Sequence, residues 1–252
     1  MIYFWLIIGA VIGSFLNVCI HRLPREESIV FPPSHCPACG QKIVPLDLVP
    51  IISYLCLRGR CRYCGAPITW RYPLVEGLTA LGFALAWSVS AGDPITFFAQ
   101  IVFVSALIVI FFIDLEHLVI PDAVSLIGLI VGLLYHSYEG HFFPALAGVL
   151  AGYALLYAIS FLGKLFYRKD IMGEGDLLLA AFMGAYLGWA GILLAIGLAY
   201  LLAALVIIAL LALRKVKMDN YIPFGPALAA GGFITLFWGN ELIAWYLGVF
   251  WR

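Results

Sequence analysis

Two short acidic motifs interrupt an otherwise apolar sequence, and they contain the residues whose chemistry most needs an explanation. The first motif holds Asp114 and Glu116, and the second is Glu174-Gly175-Asp176. Both motifs border long apolar runs, where a carboxylate costs free energy unless it is paired, hydrated or used. We therefore interpret Asp114 and Asp176 as functional partners.

A pair of carboxylates is sufficient for aspartyl proteolysis. Two carboxyl groups a few ångströms apart cannot both ionise, so the ionised group activates water while the protonated group donates a proton to the carbonyl. No separate nucleophile is needed, and the chain has no Gly-x-Ser-x-Gly, His-Glu-x-x-His or phosphate-binding loop. Gly173 and Gly175 permit close backbone approach around Asp176. The structural alternative is that Asp176 is merely the N-cap of a helix.

The other ionisable residues of these motifs have two interpretations each. Glu116 and His117 either tune the aspartates or are ordinary solvated loop residues. Glu116 and Glu174, the acidic neighbours of the pair, could also attract a basic peptide. Asp122 follows Pro121, so helix initiation explains it as well as chemistry does.

Four cysteines predict a metal site. Cys36 and Cys39 form one Cys-x-x-Cys knuckle, Cys61 and Cys64 form another, and 21 residues separate the two. This interval lies just beyond the usual one for tetrathiolate zinc sites. We expect a structural Zn2+ bound by all four thiolates, with a redox or unmetallated role as the alternative.

The amino-acid composition indicates whether the protein folds in water or in a membrane. The chain is 64% hydrophobic and only 11% charged, and its mean hydropathy is +1.06. A soluble domain is about 45–50% apolar and about 25% charged. We therefore predict an all-α polytopic membrane protein, in contact with the lipid bilayer. The zero net charge provides no field that would indicate nucleic acid as a partner.

Apolar runs long enough to cross a bilayer predict about eight transmembrane helices. The sixth and seventh are separated only by Ala190-Gly191, which favours a long bent hairpin and leaves a seven-helix count as the alternative. The predicted spans are 2–20, 74–91, 95–113, 118–135, 142–162, 177–189, 192–213 and 227–249.

The distribution of Lys and Arg supports eight spans. With this count, every Lys and Arg except Arg252 falls on one side, which the positive-inside rule makes cytoplasmic. Asp114, Asp176 and the cysteine segment then lie on the cytoplasmic side, and both termini are periplasmic. The predicted domains are a first transmembrane helix at 1–20, a cytoplasmic zinc-binding segment with the four cysteines at 21–72, and a membrane protease domain of about seven helices at 73–252.

These motifs, taken in order along the chain, resemble those of the type IV prepilin peptidases, which are membrane aspartic proteases of the Gly-x-Gly-Asp class. The motifs are Phe112-Ile-Asp114-Leu-Glu116-x-x-x-Ile120-Pro121-Asp122, Met172-Gly-Glu-Gly-Asp176 and Ile222-Pro-Phe-Gly-Pro-Ala-Leu-Ala229. The amino-terminal part resembles the bifunctional members through Gly13-Ser-Phe-Leu-Asn-Val18, the cysteine knuckles and Arg71-Tyr-Pro-Leu-Val-Glu76. One departure is Leu178, where many members carry Lys.

The resemblance implies a bacterial inner-membrane enzyme with Asp114 and Asp176 as its catalytic pair. It would remove the basic leader of type IV prepilins or type II secretion pseudopilins at the cytoplasmic face. Bifunctional members then methylate the new amino terminus with S-adenosylmethionine, and the resemblance assigns residues 21–72 and Glu76 to that activity. No motif of a methyl-donor site is visible in the sequence itself.

Two other classes of protein account for part of the pattern. A transporter or channel could use the paired aspartates to relay protons or bind cations. That class favours repeat symmetry and acids at the midplane of the bilayer, whereas these acids lie at span ends. A zinc-anchored structural scaffold would leave the glycines beside Asp176 unexplained.

Overall fold

The computed structural model describes residues 1–168, 172–215 and 222–250. Within these ranges the regular structure is helical, and no strand forms. The helices are α1 (Ile2–Arg22), α2 (Ile52–Cys56), α3 (Arg71–Val89), α4 (Pro94–His117), α5 (Asp122–Tyr138), α6 (Phe142–Tyr167), α7 (Glu174–Ala212) and α8 (Gly225–Phe250). Two short 3-10 turns add Leu23–Arg25 and Pro45–Leu48.

Most of these helices are long and apolar enough to cross a bilayer. Six described helices meet both conditions, and α5 is a shorter apolar helix of the same kind. A helix needs about 20 residues to span the hydrocarbon core, because each residue advances the axis by about 1.5 Å. The chain is therefore a multi-pass membrane protein, as its composition predicts.

The longest helix is a hairpin of two legs. α7 has 39 residues, and Gly188 in its middle has φ 66° and ψ 180°, a conformation that glycine adopts without a steric penalty. In a straight helix residues 176 and 200 would be about 36 Å apart, yet the hydroxyl of Tyr200 lies within electrostatic range of Asp176. The predicted hairpin is confirmed, with its reversal at Gly188, just before Ala190-Gly191. Counted by leg, the described helices provide eight apolar segments, in agreement with the predicted fold class.

The chain divides into two compact units, Met1–Val109 and Ile110–Arg252. In the first unit, α1 lies directly against α3. A Cβ atom on Gly13 would lie 2.7 Å from the Cα of Glu76, and one on Gly9 would lie 2.7 Å from the Cα of Ala80. Glycines spaced four residues apart let two membrane helices approach to backbone contact. The polar segment between α1 and α3 holds the cysteines.

In the second unit, α7 packs against α5, α6 and α8. A Cβ atom on Gly148 of α6 would collide with the carbonyl oxygen of Gly184. On α5, Gly128 makes room for the ring of Phe182. A Cβ atom on Gly231 of α8 would collide with the carbonyl oxygen of Ala195, on the second leg of α7. Small residues thus allow three helices to contact the hairpin closely.

The structure corrects one predicted helix start. The fourth span was expected from Leu118, but α5 begins at Asp122. Leu118 has φ 57° and its N–H bonds the carbonyl of Asp114, which ends α4. Pro121 then precedes the first helical residue, as the sequence predicted. Three charges of the topology prediction, Lys169, Lys217 and Arg252, lie outside the described residues.

Candidate functional site

Asp114 lies in the last turn of α4 and is buried, with 6% of its surface exposed. Its Oδ2 accepts a hydrogen bond of 3.0 Å from the backbone N–H of Gly225, the first residue of α8. A Cβ atom at position 225 would lie 2.5 Å from that same oxygen. Only glycine therefore lets the α8 backbone approach Asp114 closely enough for this bond.

Asp176 lies in the first turn of α7 and is equally buried. Its Oδ2 accepts a hydrogen bond of 3.2 Å from the N–H of Gly173. The N-cap residue is Gly173, so the structural alternative is corrected: Asp176 is the third helical residue. Its carboxylate reaches back to the N-cap as in a capping box, which satisfies one orphan donor and fixes the side chain.

Asp114 and Asp176 lie within electrostatic range of each other, so the structure brings together the two residues that the sequence singled out. Ile120 packs against a glycine beside each aspartate. A Cβ atom on Gly175 would lie 2.8 Å from the Cβ of Ile120, and a Cβ atom on Gly225 would lie 3.2 Å from the Cδ1 of Ile120. Chemically, two buried carboxylates held by glycine N–H groups can divide one proton between them.

The supporting residues are more exposed than the pair. Glu116, Asp122, Gly173 and Glu174 are not buried, and Gly175 is packed against Ile120. Asp122 is the first residue of α5, in the position that its helix-initiating interpretation requires. Glu116 and Glu174 lie within two residues of Asp114 and Asp176, respectively, so their charges lie near the pair.

Two residues that contact the aspartates or their supporting glycines were missed when the sequence was interpreted residue by residue. Gly225 and Ile120 entered only as letters of the family motifs, with no role. The signal available for Gly225 was its place in Pro223-Phe-Gly-Pro226, where a glycine between prolines indicates close backbone packing. Phe224 anchors this segment, because its ring lies 4.9 Å from that of Tyr200.

The four predicted cysteine ligands converge in the first unit. The Sγ atoms of Cys36, Cys39, Cys61 and Cys64 all lie within 4.8 Å of one another, and those of Cys36 and Cys64 are 3.9 Å apart. Zn–S bonds of about 2.3 Å in a tetrahedron place sulfurs about 3.8 Å apart. The donor set and its spacing fit a tetrathiolate metal site.

The two knuckles have the same backbone geometry. In the first, the Cys36 N–H bonds the Gln41 carbonyl and the Gly40 N–H bonds the Cys36 carbonyl. In the second, Cys61 pairs with Ala66 and Gly65 with Cys61 in the same pattern. Both glycines have φ near +70°, which explains their place after each second cysteine.

Electrostatics prepares one thiol of this cluster for metal binding. Backbone N–H groups of Cys64 and Tyr63 lower the pKa of Cys61 to about 7. The Ala66 N–H lowers the pKa of Cys64, but desolvation and the neighbouring thiols raise it, to about 11. A metal must therefore compensate several thiolates that repel one another. Nearby, Arg62 holds Asp47 in a bidentate ion pair, which lowers the pKa of Asp47.

Comparison with known proteins is consistent with this division of the chain. Residues 7–89 match the family model "Bacterial Peptidase A24 N-terminal domain", and residues 101–209 match "Type IV leader peptidase family". The first match contains the cysteine cluster, and the second contains both aspartates. No solved structure matches the chain.

Similar proteins carry one shared name, "Prepilin leader peptidase/N-methyltransferase". The Aeromonas hydrophila protein of this name is 38% identical, over 98% of this chain and 94% of its own. The Pseudomonas aeruginosa protein is 35% identical over 96% and 92%. The Myxococcus xanthus protein is 38% identical over 75% of this chain and 57% of its own.

Proposed function

The chain belongs to the type IV leader peptidase family, and we propose that Asp114 and Asp176 are the carboxylates with which it removes prepilin leaders. The observation that carries this proposal is the pair itself, buried and within electrostatic range. The substrates are type IV prepilins or type II secretion pseudopilins. The family assignment favours this peptidase over a transporter that relays protons through the same acids.

The reaction follows from one proton shared by two carboxylates. The ionised carboxylate takes a proton from water, whose oxygen attacks the scissile carbonyl carbon. The protonated carboxylic acid donates to the carbonyl oxygen, so no negative charge accumulates on it. The tetrahedral intermediate then collapses, the C–N bond breaks, and the nitrogen leaves with a proton. The products are a leader with a free carboxylate and a protein with a new amino terminus.

The glycine N–H groups orient this pair. Each holds one Oδ2, so neither carboxylate must be ordered when the substrate binds. Such preorganisation lowers the barrier, because a misplacement of about 1 Å can cost about a hundredfold in rate. Buried carboxylates also interact more strongly than they would in water.

The same protein methylates the new amino terminus. The name shared by the relatives supports this second activity. S-adenosylmethionine supplies an electrophilic methyl group on a positively charged sulfur, and the amine accepts it. The first unit, with its cysteine cluster, is the part of the chain to which we assign methyl transfer.

The metal of the cysteine cluster is Zn2+ in this proposal. Four thiolates at tetrahedral spacing favour zinc among the common divalent ions. Its role is structural, because all four coordination positions are taken by protein. In a segment of about fifty residues, a metal supplies the stability that a small core cannot.

The location is the bacterial inner membrane, with both sites facing the cytoplasm and both termini in the periplasm. The distribution of Lys and Arg supports this orientation. In intact spheroplasts, an impermeant maleimide should label His141→Cys, between α5 and α6, more than it labels the wild-type protein with its native cysteines. It should label Glu116→Cys no more than the wild type. Labelling above the wild type for Glu116→Cys and not for His141→Cys would reverse the orientation.

The function is tested by incubating the detergent-purified protein with a prepilin and measuring product masses. The wild-type protein should release the leader without a methyl donor, and should then add the mass of one methyl group when S-adenosylmethionine is supplied. A reagent that inactivates serine nucleophiles should leave cleavage unchanged. Absence of leader release from a well-folded preparation, judged by a cooperative thermal unfolding transition in detergent, would contradict the proposal.

A further inference from the structure

The first unit contains a cavity that the peptidase chemistry does not use. It has a volume of about 370 Å³ and lies between α1, α3 and the cysteine segment. This volume falls within the range of about 300–1,000 Å³ typical of small-molecule sites. Its lining combines aromatic residues, Tyr54, Tyr63 and Tyr72, with a few buried polar groups.

Asn17 is the first of these polar groups, and it is 1% exposed. Its Nδ2 donates to the carbonyl oxygens of Gly13 and Tyr72, at 3.3 and 3.1 Å. Its Oδ1 has no hydrogen-bond partner among the described residues. A buried acceptor without a donor costs about 1–3 kcal/mol. Because Asn17 lines the cavity, a ligand that carries an N–H or O–H group would remove this cost.

Glu76 is the second polar group, and it is 6% exposed. Its Oε2 accepts a hydrogen bond of 2.7 Å from the N–H of Ile51, and the hydroxyl of Ser14 also donates to it. Both donors are neutral, so they solvate the carboxylate without cancelling its charge. Glu76 and Asn17 are brought to the same wall of the cavity by the contact of α1 with α3 at Gly13.

Two cations that line the cavity are already engaged. Arg22 donates to the carbonyl oxygens of Ser28 and Pro32, and Arg62 pairs with Asp47. Three carboxylates line the cavity: buried Glu76, exposed Glu27, and Asp47, which Arg62 neutralises. With the aromatic rings, this set favours a ligand that is positively charged, rich in donors and partly aromatic. A phosphate fits less well, because both arginines are engaged and the Glu76 carboxylate repels an anion.

We infer that this cavity is the binding site of S-adenosylmethionine, with the Glu76 carboxylate facing the positive charge of the donor and Asn17 Oδ1 accepting a hydrogen bond from it. The sulfonium, the ammonium and the adenine ring provide the charge, the donors and the aromatic surface. This inference rests on the proposed function, since it assigns the methyl donor of that activity to named residues.

Equilibrium dialysis of labelled S-adenosylmethionine against the zinc-loaded, full-length protein tests the site. Glu76→Gln keeps the shape and an oxygen for the Ile51 N–H but removes the charge, so we expect the Kd to rise about tenfold or more. Asn17→Ala should raise it about threefold to tenfold. Asp93→Asn is the matched control, because Asp93 is an exposed carboxylate of the same unit that does not line the cavity.

Leader cleavage and zinc content are measured in the same preparations and should not change in any variant. If both cavity variants bind the donor as tightly as the Asp93→Asn control does, the site is wrong while the proposed function stands. A wild-type protein that cleaves leaders yet binds no donor contradicts the site and the methyl-transfer activity together, and leaves the peptidase intact.

Ultraviolet cross-linking of the labelled donor provides a reading that does not depend on variants. Label on peptides from residues 14–76, the range that lines the cavity, supports the site, and label confined to residues after 76 overturns it. A peptide with a free amino terminus is the competing cationic ligand. That peptide could bind in the cavity, lose its binding in Glu76→Gln, and stay bound when S-adenosylmethionine is added. In that case the cavity holds the methyl acceptor and the inference is wrong.

Discussion

Asp114 and Asp176 are each held by the N–H group of a glycine, and this shared device defines the site at the scale of single residues. The identity and position of the two aspartates were predictable, because carboxylates beside apolar runs cost free energy unless they have a role. The glycine N–H groups that bond their Oδ2 atoms were not predictable. Gly225 follows Asp114 by 111 residues, and neither helical periodicity nor local spacing predicts contact over that distance.

Substitution of Gly225 tests this orientation. In Gly225→Ala, the new Cβ would lie 2.5 Å from Asp114 Oδ2, so the carboxylate must move. We expect the cleavage rate to fall about tenfold to a hundredfold, measured as initial rates on a prepilin. The control is Gly248→Ala in the same helix, where a Cβ meets nothing within 4 Å. Equal rates in the two variants would contradict the orienting role.

We propose that Glu116 and Glu174, the acids beside the pair, attract the basic leader of the substrate. We expect Glu116→Gln combined with Glu174→Gln to raise the KM for a basic-leader prepilin severalfold at low salt and to leave kcat unchanged. Ionic strength screens exposed charges, with a Debye length of about 8 Å at 0.15 M, so the difference should shrink as salt rises.

The control for this pair of substitutions is Glu139→Gln. Glu139 is an exposed acid just after the carboxyl end of α5. Steady-state kinetics at two salt concentrations separate the outcomes. A double variant whose KM equals that of the Glu139→Gln control at low salt would show that the two acids do not attract the leader.

At the scale of elements, helix types and most starts followed from the sequence. The start of α5 was placed at Leu118, four residues early, although Pro121 before Asp122 was the available signal. The closely spaced sixth and seventh spans indicated the hairpin of α7. The position of its reversal, Gly188, was missed by two residues, because several glycines there serve equally well in sequence terms. Which of them takes a positive φ depends on packing against α6.

The contact of α6 with α7 places Asp176, and its tolerance can be measured. A Cβ atom in Gly148→Ala would collide with the carbonyl oxygen of Gly184, so the helices must separate. We expect a loss of about 1–3 kcal/mol in the free energy of unfolding, seen by thermal unfolding in detergent. Gly197→Ala, which meets nothing within 4 Å, should be neutral or stabilising. A loss of equal size in both variants would contradict close packing at Gly148.

At the scale of the whole molecule, the cysteine cluster belongs to one compact unit of the chain and both aspartates belong to the other. The sequence predicted the ligands of this cluster because their spacing is local and repeated. It did not predict the cavity, whose wall combines Asn17 of α1 with Glu76 of α3. A polar residue in an apolar helix was the available signal for Asn17, and its meaning depends on what packs beside it.

Removal of the metal should separate the two activities. A chelator that strips the cysteine cluster should lower methyl transfer at least about tenfold, because the segment folds with its metal. Leader cleavage should stay within about twofold, since both aspartates lie in the other unit. Restoring Zn2+ is the control and should recover methylation. A parallel loss of cleavage would contradict this separation.

The central claim, that Asp114 and Asp176 act as one catalytic unit, is tested most directly by comparing cleavage rates of Asp114→Asn, Asp176→Asn and the double variant. Groups that act together are not additive. Each single variant should therefore lose at least about a thousandfold, and the double variant should lose no more. Thermal unfolding of each variant in detergent, compared with that of the wild type, reports an intact fold. A single variant that keeps its rate within about tenfold of wild type would contradict the account.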